Sequence, residues 1–116
     1  DSYNISFTTA QAGIAAAREA ASKSGKKLLV VTAGIPELSQ DNRDKNKELG
    51  KILASVADYV VVLGSMFANE IAMGVNDSSK HTVVKDLNAF LTETKVKFPN
   101  KEWFLLMQPE LGDLYY

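Results

Sequence analysis

At 116 residues the chain is long enough for one domain with a real core. Its 46% hydrophobic and 23% charged residues match soluble globular proteins and exclude disorder. A formal net charge of −1 excludes a nucleic-acid surface built on bulk electrostatics, and the absence of cysteine excludes disulfides and thiolate metal sites.

The absence of cysteine also fits a cytoplasmic protein. The longest apolar runs, at Leu28–Val31 and Tyr59–Leu63, fall far short of the about 20 residues that cross a bilayer. No charged-then-apolar leader opens the sequence, so no signal peptide is expected.

The chain opens on a polar cluster, Asp1-Ser2-Tyr3-Asn4, which reads as a loop at the C-terminal end of a strand. Thr8 to Ser24 then predicts a helix capped by Thr8 or Thr9, with Ala10, Gly13, Ile14, Ala17 and Ala21 on one face. Gly25 follows its last turn, where a left-handed stop costs glycine least. The run Leu28-Leu29-Val30-Val31 is continuous rather than alternating, which predicts a strand covered on both faces over Lys27 to Ala33.

Asp41 to Ala57 predicts a second helix with the stripe Leu49, Ile52, Leu53 and Val56. Its charge-rich start, Asp41 to Lys51, reads as a solvated face. Tyr59 to Leu63 is a second buried strand. A short helix from Ser65 to about Gly74 and a loop at Asn76-Asp77-Ser78-Ser79 follow it. His81 to Val84 is a brief strand, and its lone histidine has no second one with which to share a metal. Asp86 caps a fourth helix with the stripe Leu87, Phe90, Leu91 and Phe98, ended by Pro99. Trp103 to Met107 is the last strand, and the tail Gln108–Tyr116 follows.

Alternating helices and strands with helix-length crossovers imply an α/β fold. The expectation is a Rossmann-like three-layer sandwich, a mostly parallel sheet with helices on both faces. In that architecture ligands sit beyond the C-terminal ends of the strands. The segments expected there are Asp1–Asn4, Thr32–Leu38, Gly64-Ser65, Lys85-Asp86 and Gln108–Asp113. Ser24-Gly25-Lys26-Lys27 precedes a strand and lacks the upstream glycine and Ser/Thr of a phosphate loop, so it reads as a helix stop.

Three of these segments resemble, in order and spacing, the C-terminal domain of the Mur ligases. The nearest branch is the one that adds D-alanyl-D-alanine to the UDP-N-acetylmuramoyl tripeptide (MurF-type). Asp1-Ser2-Tyr3-Asn4 is similar to the Asp-Ser/Thr-Tyr-Asn stretch that opens that domain, with Ile5, Ser6 and Phe7 departing from the family's Ala-Asn-Pro. Gly34-Ile35-Pro36-Glu37-Leu38 is similar to the family's Gly-x-x-Glu-Leu-Gly, with Ser39 in place of the last glycine. Gln108–Tyr115 is similar in register to the Glu-Asn-Asp-Leu-Pro-Asp-x-Tyr ending.

The resemblance implies an ATP-dependent amide-bond ligase of peptidoglycan precursor synthesis, in which ATP and Mg2+ are held mainly by a separate central domain. The partners it implies are a UDP-N-acetylmuramoyl peptide, an amino acid or dipeptide, and the ligase's other domains; by itself this chain would be inactive. It would contact the nucleotide through Asp1, Tyr3 and Asn4, and the incoming amine through Glu37, Glu110 and Asp113. On that reading the strand before Asp1 is missing and the sheet is short of a central member. A stand-alone flavodoxin-like regulatory or protein-binding module is the alternative, as is a small domain for a free nucleotide.

Overall fold

The computed structural model describes residues 2–35, 42–64 and 67–108. Helix α1 runs Ser2–Lys23, strand β1 Lys27–Thr32, helix α2 Asn42–Val56, strand β2 Tyr59–Leu63, helix α3 Ala68–Val75 and strand β3 His81–Val84. A single α-turn, α4, covers Leu87–Ala89, and the last described element is strand β4, Trp103–Gln108. All strand pairs are parallel, in the order β3-β2-β1-β4. This is the expected α/β, Rossmann-like arrangement, with helices on both faces.

The chain steps outward from β1 to β2 to β3, then returns to lay β4 on the other side of β1. The strand order therefore reverses between β1 and β4, and no gap is left beside β1. An expected missing central member is thus not a feature of this sheet: β4 pairs with β1 along its whole length, from Lys27↔Trp103 to Thr32↔Gln108.

The sheet divides the core in two. On one face Leu28, Val30, Val60 and Val62 pack against Ile14 of α1, Leu49 and Leu53 of α2, and Ile71 of α3. On the other, Leu29, Val31, Val61 and Leu63 pack around Phe90. Burial on both sides is what the unbroken apolar runs of β1 and β2 predict, and Leu28–Val31 are 1% exposed or less. Helices α2 and α3 meet at glycines: a Cβ on Gly50 would run into the Ile71 carbonyl, and one on Gly74 into that of Lys47.

Three local expectations are corrected. The first helix starts by Ser2, so Thr8 and Thr9 lie inside it rather than capping it, and Tyr3 and Asn4 are helical rather than in a loop after a strand. Phe7 explains the extension, since it is buried three residues before Ala10 and adds a turn to the stripe. The third helix begins at Ala68, after Phe67; Ser65, its expected cap, lies outside the described residues.

The fourth helix is the largest departure. Asp86 caps it as expected, its carboxylate accepting from Ala89 N–H at 2.8 Å. After Ala89 the chain widens to a π-turn over Phe90–Thr94 and tightens to a 3₁₀ turn over Lys95–Lys97. The change of pitch breaks the 3.6-residue stripe. Phe90 is fully buried while Leu91, expected beside it, is 40% exposed. Phe98 is delivered between Tyr59, 5.4 Å away, and Trp103, met edge-on at 4.9 Å.

Candidate functional site at the strand-order reversal

In an open parallel sheet the crevice for a ligand lies past the strand C-termini where the order reverses. Here that point is the pair Thr32 and Gln108, the last residues of β1 and β4. The Thr32 hydroxyl donates to Gln108 Oε1 at 2.9 Å and accepts from Gly34 N–H at 3.0 Å. One side chain thereby joins the two strands and turns the backbone that leaves β1. With Oε1 engaged, the Gln108 amide N–H2 is the donor this cluster presents.

The turn is then fixed from α2. Asn46 Oδ1 accepts from Ile35 N–H at 2.8 Å, and Asn46 Nδ2 donates to Ile35 C=O at 3.0 Å. This two-way grip satisfies both backbone groups of a buried residue. Gly34 has φ +88°, a left-handed conformation that favours glycine, and a Cβ there would lie 2.8 Å from Asn46 Oδ1 and 3.1 Å from Ile71 Cδ1.

Among the described residues, Thr32 and Asn46 are the fully buried polar side chains, and both serve this one turn. Burying a polar group costs free energy unless its hydrogen bonds are made. Here the cost is met in full by hydrogen bonds, whereas Arg18 Nε at the other end of the sheet is buried without a partner among the described residues.

The residues expected to carry function distribute unevenly around this point. Thr32, Gly34 and Gln108 fall in segments that were expected at the ligand edge. Tyr3 and Asn4 begin α1, whose last turn leads into the start of β1; α1 therefore runs antiparallel to β1 and begins near its far end. Phe7, one turn on, has Lys45 Nζ from the first turns of α2 4.8 Å over its ring, which ties the start of α1 to the start of α2. Asp1, Glu37, Glu110 and Asp113 lie outside the described residues.

Asn46 is the residue that sequence reasoning missed. It stands in the charge-rich stretch read as solvated, yet it is three residues before Leu49 and seven before Leu53. That spacing places it on the buried stripe, and a polar residue on a buried stripe is a signal for a specific partner.

The opposite end of the sheet carries a different polar device. Asp58 Oδ2 accepts from Leu28 N–H at 2.7 Å and from Arg18 Nη1 at 3.0 Å, and Arg18 Nη1 also reaches the Val56 carbonyl at 3.1 Å. Burial alone would raise the Asp58 pKa. The Leu28 N–H and the hydrogen bond and charge of Arg18, with the charge of Lys80, outweigh it and hold the carboxyl below its ordinary range. His81, at the start of β3, donates from Nδ1 to the Asp77 carbonyl at 2.8 Å, a strand-entry contact.

An open groove between α2 and the C-terminal end of α3 is lined by Lys47, Lys51, Met73 and Asp77. It lies away from the strand-order reversal and brings no buried polar side chain with it. No described helix is long and apolar enough to cross a membrane. Comparison of the chain with protein-family models, with curated proteins and with solved structures returns no match.

Proposed function

We propose that this chain acts as the substrate-facing domain of an ATP-dependent amide-bond ligase of the Mur type, one that joins an amino acid or dipeptide to a UDP-N-acetylmuramoyl peptide. The observation that carries the reading is the turn after β1. Thr32 and Asn46, the fully buried polar side chains among the described residues, both shape it, at the point where such a sheet takes a ligand. The two segments of the resemblance that begin at Gly34 and at Gln108 leave the sheet from adjacent strands and are bridged by Thr32.

In such a ligase a substrate carboxylate attacks the γ-phosphoryl group of ATP and ADP departs. The incoming amine then attacks the acyl carbon and inorganic phosphate leaves. ATP and Mg2+ would be supplied by a separate domain. This chain would contribute orientation and exclusion of water, which protect the acyl phosphate from hydrolysis. In this scheme the Gln108 amide N–H2 would donate to a carbonyl or carboxylate oxygen of the substrate, while the Gly34-Ile35 backbone, held by Thr32 and Asn46, fixes the path of the turn beside it. Glu37, Glu110 and Asp113 would attract its positive charge, and Asp1, Tyr3 and Asn4 would meet the nucleotide.

Titrating isotope-labelled chain with Mg2+-ATP and with D-alanyl-D-alanine tests the reading. The expected result is weak binding, with resonance shifts centred on Gly34, Ile35 and the Asn46 and Gln108 side-chain amides. Absence of shifts there at about 10 mM of either ligand would overturn it, because that affinity corresponds to less than the about 4 kcal/mol of a millimolar contact. Tight binding of ATP by the chain alone would favour a free-nucleotide domain instead.

A further inference from the structure

The two edges of the sheet are guarded very differently. The β3 edge is four residues long and flanked by Lys80 and Lys85, features that discourage pairing with another strand. The β4 edge is six residues long and reads Trp-Phe-Leu-Leu-Met-Gln, with no charge and no proline. All six of its residues are partly exposed, whereas the similarly apolar Leu28–Val31 of β1 are buried. A strand with continuous apolar character on both faces has the composition of an interior strand, yet among the described residues it occupies an edge.

Its hydrogen-bonding groups can be assigned. Lys27 N–H donates to the Glu102 carbonyl at 2.9 Å and Ala33 N–H to that of Gln108 at 3.3 Å. By the two-residue period of a strand, the even-numbered residues of β4 bond β1, and the N–H and C=O groups of Leu105 and Met107 face outward. The Trp103 carbonyl faces outward with them, while its N–H is taken by the Pro99 carbonyl at 3.0 Å.

We propose that this edge pairs with the same edge of a second copy of the chain, antiparallel about a two-fold axis at Leu105, to make a continuous eight-stranded sheet. The register follows from which groups face outward. Leu105 exchanges both bonds with its own copy, and Met107 N–H donates to the Trp103 carbonyl on each side of the axis. Every cross-strand pair is then apolar: Trp103 with Met107 and Leu105 with Leu105 on one face, Phe104 with Leu106 on the other. No like charges oppose one another within the ladder, and an isologous contact of this kind closes after two copies. A single ladder buries less than the about 1,200 Å² of a stable interface, so the pairing is weak, with dissociation on the order of 0.1–1 mM.

Hydrogen exchange on the whole chain at low and high concentration tests this. Leu105 and Met107 amides gain about two- to fivefold protection between dilute solution and about 1 mM chain, while Phe104 and Leu106, already bonded to β1, change little. Sedimentation equilibrium gives a mass rising toward twice the monomer, and Leu105→Pro, which removes an outward N–H, returns it to monomer. A monomeric mass at 1 mM, with Leu105 and Met107 exchanging freely, would overturn the proposal. Equal protection of those amides at every concentration would overturn it too, since the edge would then be covered within one chain. Because the exchange measurement uses the unmodified chain, the test survives if Leu105→Pro fails to fold.

Discussion

The two ends of β1 are fastened by opposite means. At its N-terminal end a charged pair, Arg18 and Asp58, with side chains 33% and 41% exposed, ties α1 to the loop before β2 and to Leu28. At its C-terminal end two neutral and fully buried side chains, Thr32 and Asn46, hold a turn. A solvated ion pair tolerates small changes of geometry and contributes little, because water screens it. A buried neutral network tolerates almost none, since each unmade bond strands a desolvated partner. The first device joins elements together. The second specifies the path of a backbone, which is what a binding turn requires.

Removing the buried device should therefore cost most. Asn46→Ala strands the Ile35 N–H and C=O and is expected to lower unfolding free energy by about 3 kcal/mol, read as a shift in urea midpoint with little change in slope. An effect near zero would mean that the turn re-forms with water in place of Asn46, and the contrast between the ends would lapse. Next in size is Gly34→Ala. It forces a side chain into a left-handed conformation at about 1–2 kcal/mol, and its Cβ displaces Asn46 Oδ1. Resonances of Ile35 and Gln108 should move with it, while those of Leu28 stay in place.

The charged end should yield the smallest change and the only one that depends on pH. Asp58→Asn keeps an oxygen for Leu28 N–H and loses the charge, with an expected cost of about 0.5 kcal/mol at neutral pH. The folded pKa of Asp58 lies below its unfolded value. Its contribution is therefore complete above about pH 5 and is lost as pH falls through the folded pKa, below the ordinary carboxylate range near 4. Urea melts from pH 7 to pH 3 should show the unmodified chain and Asp58→Asn converging at the acid end. Parallel curves would assign Asp58 no role in acid stability.

Much of the frame was legible because burial and periodicity coincide in it. β2 and β3 have the bounds that their apolar runs predict, and Asp86 caps as its spacing implies. The start of α1 was not legible, because Ile5, Ser6, Phe7, Thr8 and Thr9 are poor helix formers and burial of Phe7 overrides that preference. The π-turn at Phe90–Thr94 was hidden because a pattern test assumes one pitch throughout. At the candidate site, Thr32, Gly34 and Gln108 lay in segments expected at the ligand edge. The carboxylates that follow them in sequence, Glu37, Glu110 and Asp113, carry the stronger sequence signal, since charge is easier to recognise as chemistry than a buried amide.

The Thr32–Gln108 bond joins residues 76 positions apart in the chain. By contrast, α2, β2 and α3 are consecutive and meet along the tight glycine contact of Gly50 and Gly74. Closing a long loop costs more entropy than closing a short one, so pairings local in sequence are favoured to form first. Folding should then begin in α2–β2–α3 and end with β4 docking onto β1. Conservative truncations at Leu49, Leu53 and Ile71 should slow folding, whereas those at Leu106 should mainly speed unfolding. The candidate site straddles β1 and β4, so it becomes complete only in the last step, and a molecule arrested before that step would be compact but have no site.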